Sequence, residues 1–346
     1  MDQVAFILEG HTVYWRFIII ALAAFAAVLL AVALQLRQKK DSLALFVALP
    51  FAVLLSLFFA RLIHWCCRFA RYESLEAAIL RPQGGYALVG AFVGTLLAFL
   101  LVRALRLTRD LPGLLDSAAP AAALGIALGR LGDLFTTADR GWFLISSAAW
   151  QRLPFASAVV NPATGVIERR FATFFVQSIW AWVIFLILMV EVLWPRKHKA
   201  ARSGRVFILF MTLYCLGQIV LDSTRYDALY LPGNSTVRLV QTLCAAVLVL
   251  LMVTRSVLSM SQGGLRFWHP LSWVMALGSL GGVAYMEYYV QRHGSKALMA
   301  YAIMVGCLAL FFAASRVAGI AGRVPEPPAE NLKQDDQAED RAPALV

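Results

Sequence analysis

Residues 114–143, LLDSAAPAAALGIALGRLGDLFTTADRGWF, decide the fold. The first part is a run of small and apolar residues (Ala118, Ala119, Ala121, Ala122, Gly125, Gly129) long enough to cross a hydrocarbon core about 30 Å thick. Such residues let neighbouring helix backbones approach closely in lipid. The run then closes on Arg130, Asp133, Asp139 and Arg140. Ionisable residues at membrane depth are costly and point to function, here at the end of a span. The plain alternative is an Arg130–Asp133 pair at i, i+3 that neutralises itself and anchors the helix.

Eight further apolar runs share this character, giving nine predicted spans at 15–36, 42–65, 85–105, 114–135, 171–194, 206–221, 237–254, 270–290 and 297–314. Of the 346 residues, 60% are hydrophobic and 15% charged, against about 25% charged in an average soluble domain. The chain is therefore read as an all-α, polytopic membrane protein, since backbone groups in lipid must be satisfied within helices. The net charge of +11 is explained by membrane topology and anionic headgroups, so nucleic acid is not a partner. Five cysteines without a repeated pair spacing make neither a disulfide framework nor a zinc site, and no metal or cofactor is expected. From Arg323 the composition turns to Pro, Glu, Asp and Gln, with six acidic residues against three basic, and 322–346 is read as a disordered acidic tail.

Lys and Arg near span ends set the orientation. Arg37, Lys39 and Lys40, then Arg103, Arg106 and Arg109, then the 196–205 cluster, then Arg255 and Arg266 mark the cytoplasmic side. That puts the N-terminus outside and, after nine spans, the tail in the cytoplasm. The 28 basic residues ahead of the tail nevertheless divide evenly, and all but one of the outward set are arginines. Insertion disfavours such an outward excess, and binding of a phosphate-bearing group would explain it.

Two further stretches hold candidates. RPQGGYALVGAFVG (81–94) pairs a Gly84-Gly85 turn with Gly90 and Gly94 at a close-packing spacing, and packing is its favoured reading. GQIVLDSTRYD (217–227) ends a span with Asp222 and Arg225, either an interfacial pair or part of a site.

The order of these features resembles the bacterial prolipoprotein diacylglyceryl transferase family. GRLGDLFTTADRG is similar to its signature, preceded by Asp116 and Pro120; FFARLIHW is similar to its second-span arginine motif at Arg61, and GGYALVGAFVG to its glycine-rich third span. GRVFILFMTLYCLGQIVLDSTRYD and TVRLVQTL, around Gln241, are similar to its last two spans, and TVYWRFIII sits where its first span begins. The resemblance covers 4–255 as seven spans, with two additional spans within 256–321. It implies a bacterial inner-membrane enzyme that moves the sn-1,2-diacylglyceryl group of phosphatidylglycerol onto a lipobox cysteine thiol of a prolipoprotein signal peptide, releasing glycerol-1-phosphate. Its partners would be phosphatidylglycerol, those signal peptides and membrane lipids.

Carried over residue by residue, Arg130 holds the phosphate through its planar fork, with Asp133, Asp222 and Arg225 as further catalytic positions. Arg61, Arg140, Gly141, Gly85, Gly90 and Gln218 would contact substrate, with Arg61, Arg130 and Arg225 facing one lipid-open cavity. The chain also departs from the family pattern. Val89 occupies the family histidine position, Asp133 replaces the signature Asn, and Ala138 replaces an acidic residue. Gln218 replaces an arginine, Arg16 a first-span tyrosine, and RRFATFFVQS (169–178) lacks the family's His-Pro and Tyr-Glu. His64, beside Arg61, is the candidate substitute base, and Asp133 another. The alternative is a paralogue that binds phospholipid headgroups without transfer. A transporter is disfavoured because no matching pair of interrupted helices is visible.

Overall fold

The computed structural model describes residues 3–8, 11–38, 42–72, 74–80, 85–137, 139–160, 165–194, 204–234, 236–294 and 296–320. The tail at 322–346 lies outside them. In chain order the elements are β1 (Val4–Leu8), β2 (His11–Tyr14), α1 (Trp15–Arg37), α2 (Leu43–Cys67), α3 (Leu75–Leu80), α4 (Leu88–Ala104), α5 (Leu111–Gly129) and α6 (Ala148–Gln151). There follow β3 (Ala156–Val160), β4 (Ile167–Phe171), α7 (Thr173–Leu193), α8 (Arg205–Ser223), α9 (Leu239–Gly263), α10 (Trp268–His293) and α11 (Ala297–Ile320). All nine apolar runs are helices. Among the described residues, seven helices are long and apolar enough to cross a membrane: α1, α2, α5, α7, α8, α9 and α11.

The other two differ for separate reasons. α4 has 17 residues, about 26 Å at 1.5 Å per residue, because Gly85 to Ala87 enter it without helical structure. α10 is long enough but carries Glu287, Gln291, Arg292 and two histidines. The sequence reading did not anticipate the two short antiparallel hairpins, β1–β2 ahead of α1 and β3–β4 ahead of α7.

The chain forms two compact units, Met1–Leu248 with Gln291–Gly294, and Val249–Val290 with Ser295–Val346. In the first, close backbone approach does the packing. A Cβ at Gly90 would lie 2.2 Å from the Phe59 carbonyl oxygen, and one at Gly94 would lie 2.3 Å from that of Leu55, so α4 lies flush on α2. Ser56 ties the same seam by donating to the Ala91 carbonyl at 3.0 Å. Gly217 accommodates the Trp180 indole, whose Nε1 donates to the Leu213 carbonyl at 3.2 Å and joins α7 to α8. Ser178 on α7 donates to the Ala127 carbonyl of α5 at 2.6 Å. Asp116 caps α8 from another helix: its carboxylate accepts from the amides of Gly204 (2.7 Å) and Phe207 (2.8 Å). The Asp116 of the family-like motif thus fixes the start of α8.

In the second unit, buried Ala300, Met304, Phe311 and Ala314 form an α11 stripe. His269, fully buried, bonds Ser259 through Nε2 at 3.1 Å, and its Nδ1 accepts from the Arg266 amide at 3.1 Å. That histidine closes the turn between α9 and α10.

Candidate functional site

α5 ends at Gly129 and tightens into a 3-10 turn over Arg130–Phe135. A Cβ at Gly132 would sit 3.2 Å from the Arg16 carbonyl oxygen, so the turn lies against the start of α1. This proximity pairs Arg16 Nη2 with Asp133 Oδ1 at 3.2 Å. Arg130 Nη1 stands 3.5 Å from the other Asp133 oxygen and forms a salt bridge with Asp139 Oδ2. Asp139 Oδ1 is in turn bridged to Arg225 Nη2. One carboxylate therefore holds two guanidiniums. Asp139 adopts a φ of 56°, a left-handed conformation that Asp tolerates better than most side chains. Its amide donates to Asp227 Oδ2 at 3.0 Å, and Arg225 donates to Asp227 Oδ1 through Nε (3.2 Å) and Nη2 (3.1 Å).

Backbone pairing fastens the loops that carry these side chains. Gly141 bridges to Arg225, and its amide donates to the Phe171 carbonyl at 2.6 Å. A Cβ at Gly141 would fall 2.8 Å from Phe171 Cβ, so only glycine fits between the two strands of chain. Trp142 donates to the Thr224 carbonyl at 3.0 Å and Tyr226 to that of Arg140 at 2.8 Å. Arg238 Nη1 donates to the carbonyls of Asp222 (2.5 Å) and Arg225 (3.1 Å). Arg140 is buried over the Phe174 ring, 4.3 Å from its centroid, and donates to the carbonyls of Asp133 (3.1 Å) and Thr136 (2.6 Å). Asp222 is fully buried, 3.7 Å from Arg225 Nη1.

Three guanidiniums (Arg16, Arg130, Arg225) thus pair with four carboxylates (Asp133, Asp139, Asp222, Asp227), while Arg140, Arg238 and Arg68 donate to backbone carbonyls of the same loops. Burial alone would raise the Asp139 pKa, but Arg130 and Arg225 outweigh it and hold the carboxyl well below the usual range. Burial likewise works against the charge on Arg225, and Asp139, Asp227 and Asp222 more than offset it, pushing its pKa up. Burial lowers the Arg140 pKa, against the pull of Asp133, Asp139 and Asp227. Arg130 uses Nη1 for both of its carboxylates, and its Nε and Nη2 make no hydrogen bond among the described residues. Those two donors form the edge that a phosphate oxygen pair would meet.

Arg61, His64, Gly85 and Gly90 form a second set along α2 and α4. Arg61, buried, lies 4.3 Å from the Tyr86 ring centroid, with Nη1 3.5 Å from the Gly85 carbonyl oxygen. His64, one turn on, bonds the Tyr72 hydroxyl through Nδ1 at 2.8 Å, and its ring occupies the space above Gly85, where a Cβ would lie 2.3 Å from Nε2. Gly90 meets α2 backbone, which gives it a packing role. The two sets share a loop: Arg68 at the end of α2 donates to the carbonyls of Asp227 (3.2 Å) and Ala228 (3.3 Å). Val89 stands in the first turn of α4.

Two pairs of departures from the family pattern prove to be neighbours. Arg16 and Asp133, where the family has Tyr and Asn, form an ion pair. Gln218, in place of an arginine, accepts from Gln177 at 3.3 Å, and Gln177 belongs to the stretch that lost the family's glutamate. In this chain the first pair is charged and the second neutral. Asp139, Asp227, Arg16 and Arg238 are the residues that the sequence reading did not assign to the site. Asp139 was visible within the signature; the pairing of Arg16 with Asp133 had a signal only in their joint departure.

A family model described as prolipoprotein diacylglyceryl transferase matches residues 3–257. Among curated proteins, the chain is similar to one from Parasynechococcus marenigrum, with 30% identity over 268 residues that cover 74% of this chain and 89% of that protein. It is also similar to one from Clostridium novyi (28% identity, 74% and 96% covered) and one from Oceanobacillus iheyensis (31% identity, 67% and 79% covered). Each is named "Phosphatidylglycerol--prolipoprotein diacylglyceryl transferase". With the family model matched from the β1–β2 hairpin through most of α9, this chain belongs to the prolipoprotein diacylglyceryl transferase family.

Proposed function

We propose that this chain transfers the sn-1,2-diacylglyceryl group of phosphatidylglycerol to the thiol of a lipobox cysteine in a prolipoprotein signal peptide. The observation that carries the reading is Arg130, fixed through Nη1 by Asp133 and Asp139, with Nε and Nη2 making no hydrogen bond among the described residues. In the reaction the cysteine sulfur forms a bond to the glyceryl carbon that bears the phosphate. The C–O bond breaks, and glycerol-1-phosphate leaves with the electron pair. Arg130, with Arg225 behind it, binds the phosphodiester and stabilises the charge that gathers on the leaving group. Asp139 keeps both arginines in place; a carboxyl held ionised by two guanidiniums is a poor proton acceptor.

The thiol proton is assigned to His64. Asp133 is tied to Arg16 and Arg130, whereas His64 has an imidazole suited to neutral pH and a Tyr72 hydroxyl able to accept from Nδ1 once the ring is protonated. Arg140, Gly141, Gly85 and Gln218 shape the surroundings, and Arg61 contacts the headgroup. The protein sits in the bacterial inner membrane with its N-terminus outside. The loop with Arg103, Arg106 and Arg109 faces the cytoplasm. Residues 1–255 form the transferase domain, and 256–321 add two spans.

Purified protein in phosphatidylglycerol vesicles is expected to add diacylglyceryl to a lipobox peptide, read by mass spectrometry, and Arg130→Ala to abolish the adduct. No adduct from the unmodified chain, beside an active family member, would overturn the transferase reading in favour of headgroup binding. His64→Gln is expected to slow transfer about 100-fold while phosphatidylglycerol is still bound; an unchanged rate would reassign the base.

A further inference from the structure

The other end of α5 carries a feature that diacylglyceryl transfer does not use. α4 and α5 are joined by a short loop, and an open cavity of about 440 Å³ is lined there by Arg103, Ala104, Arg106 and Arg109. Among the described residues, this lining brings three positive charges and no acid. α5 has 19 residues, so the cavity lies about 28 Å along the helix from the Arg130 cluster, close to the thickness of a hydrocarbon core.

The loop is a helix stop of the Schellman type. The Leu107 amide donates to the Val102 carbonyl at 3.1 Å and the Arg106 amide to that of Arg103 at 3.0 Å. The residue between the helix and its exit in this motif takes a left-handed conformation, and glycine is the usual choice. Here it is Arg106, at a φ of 59°. Positive-inside bias explains basic residues in the loop, but any loop position would satisfy it. It does not explain an arginine at the one position where every side chain except glycine's is strained. Strain of this kind gathers at binding and catalytic sites. Arg103 is also ordered, donating through Nη1 to the Thr108 carbonyl at 2.9 Å.

We propose that this cavity is a second phosphate site, across the membrane from the Arg130 cluster, that holds the phosphate of an anionic lipid headgroup or a free phosphate group. Its three guanidiniums supply charge and donors, and the left-handed turn sets Arg106 in the lining beside Arg103 and Arg109. The site is independent of the transfer reaction, and its failure would leave that reading intact.

The test uses the full-length chain in nanodiscs of mixed phosphatidylglycerol and phosphatidylcholine, with retained lipid counted by native mass spectrometry. Arg103→Gln, Arg109→Gln and Arg106→Gly are each expected to lower phosphatidylglycerol retention about fivefold while leaving diacylglyceryl transfer unchanged. A parallel arm titrates inorganic phosphate onto the detergent-solubilised protein and follows its melting temperature. Loss of phosphatidylglycerol in the variants with no response to inorganic phosphate identifies a lipid headgroup. A melting shift with inorganic phosphate that the variants lose identifies a free phosphate. Arg106→Gly separates binding from the turn, because glycine relieves the strain. A glycine variant that melts higher yet keeps its phosphatidylglycerol overturns the proposal, as do variants that match the unmodified chain in both arms.

Discussion

At the C-terminal end of α5, Arg130 and Arg225 share the Asp139 carboxylate, and Asp133, Asp222 and Asp227 stand around them. At its N-terminal end, Arg103, Arg106 and Arg109 line an open cavity, and the nearby Asp110 caps the helix by accepting from the Gly113 amide at 2.9 Å. The same residue type serves opposite ends of one helix under opposite electrostatic conditions. A paired arginine is held in one geometry and keeps its charge, while its partner cancels much of its field at a distance, which suits a reaction that needs a fixed donor. Unpaired arginines at a surface keep their long-range field, which suits orientation in the membrane and capture of anions. Charge count alone cannot separate the two; the presence of partners does.

The largest expected effects come from breaking the paired end. Arg130→Ala should lower kcat by about 100-fold or more in the peptide assay, the loss expected if it removes the proposed donor to the leaving phosphate. Asp139→Asn should lower transfer too and destabilise the protein by about 3 kcal/mol in thermal or denaturant unfolding, because two buried guanidiniums then face a neutral amide. Retention of stability by that variant would mean that Asp139 is not the hub. Next comes the departed pair. Arg16→Tyr and Asp133→Asn singly should each impair transfer and stability, and the double variant should recover part of the loss, with a coupling of about 1 kcal/mol. Additive losses would show that the two departures are unrelated.

Acid titration sharpens the same comparison with a smaller effect. Asp139 has a folded pKa held below its unfolded value of about 3.9, so its stabilising contribution is complete above that value. It is lost only as pH falls further, through the folded pKa. Stability in detergent should therefore show no Asp139-dependent change between about pH 5 and 8, and a loss in strong acid that Asp139→Asn lacks. A transition near neutrality that disappears in Asp139→Asn would contradict the clamp. The smallest effect lies at the unpaired end. Arg106→Gly should raise stability by about 1 kcal/mol by removing left-handed strain, without change in transfer.

The spans were legible because lipid imposes a simple demand, a long apolar helix; each of the nine runs is a helix, and seven of them are both long and apolar enough. The limits of that demand show at α4 and α10. α4 starts at Leu88 because Gly85, which the apolar count includes, lies under the His64 ring outside the helix. The two hairpins escaped notice because VAFIL and IERRF are too short to declare a period against their apolar neighbours. In the site, Arg130, Asp133, Asp222 and Arg225 were visible as charges at span ends. Asp139 stands with them in the same stretch, but its role as the shared partner is not legible there, since nothing in spacing says that a residue nine positions past Arg130 returns to it through a left-handed turn. Gly90 makes the close backbone approach that its spacing favours, and Gly141, placed by the resemblance among the substrate contacts, makes one as well.

The short α4 also bears on the bilayer. A helix of about 26 Å falls about 4 Å short of a hydrocarbon layer of about 30 Å, and the non-helical Gly85–Ala87 segment at its start is long enough to make up the difference. Irregular backbone at membrane depth is tolerated where protein covers it. Here the His64 ring over Gly85 and the Arg61 guanidinium over Tyr86 do the covering, so the same two side chains that stand as candidates for the site also shield the start of α4.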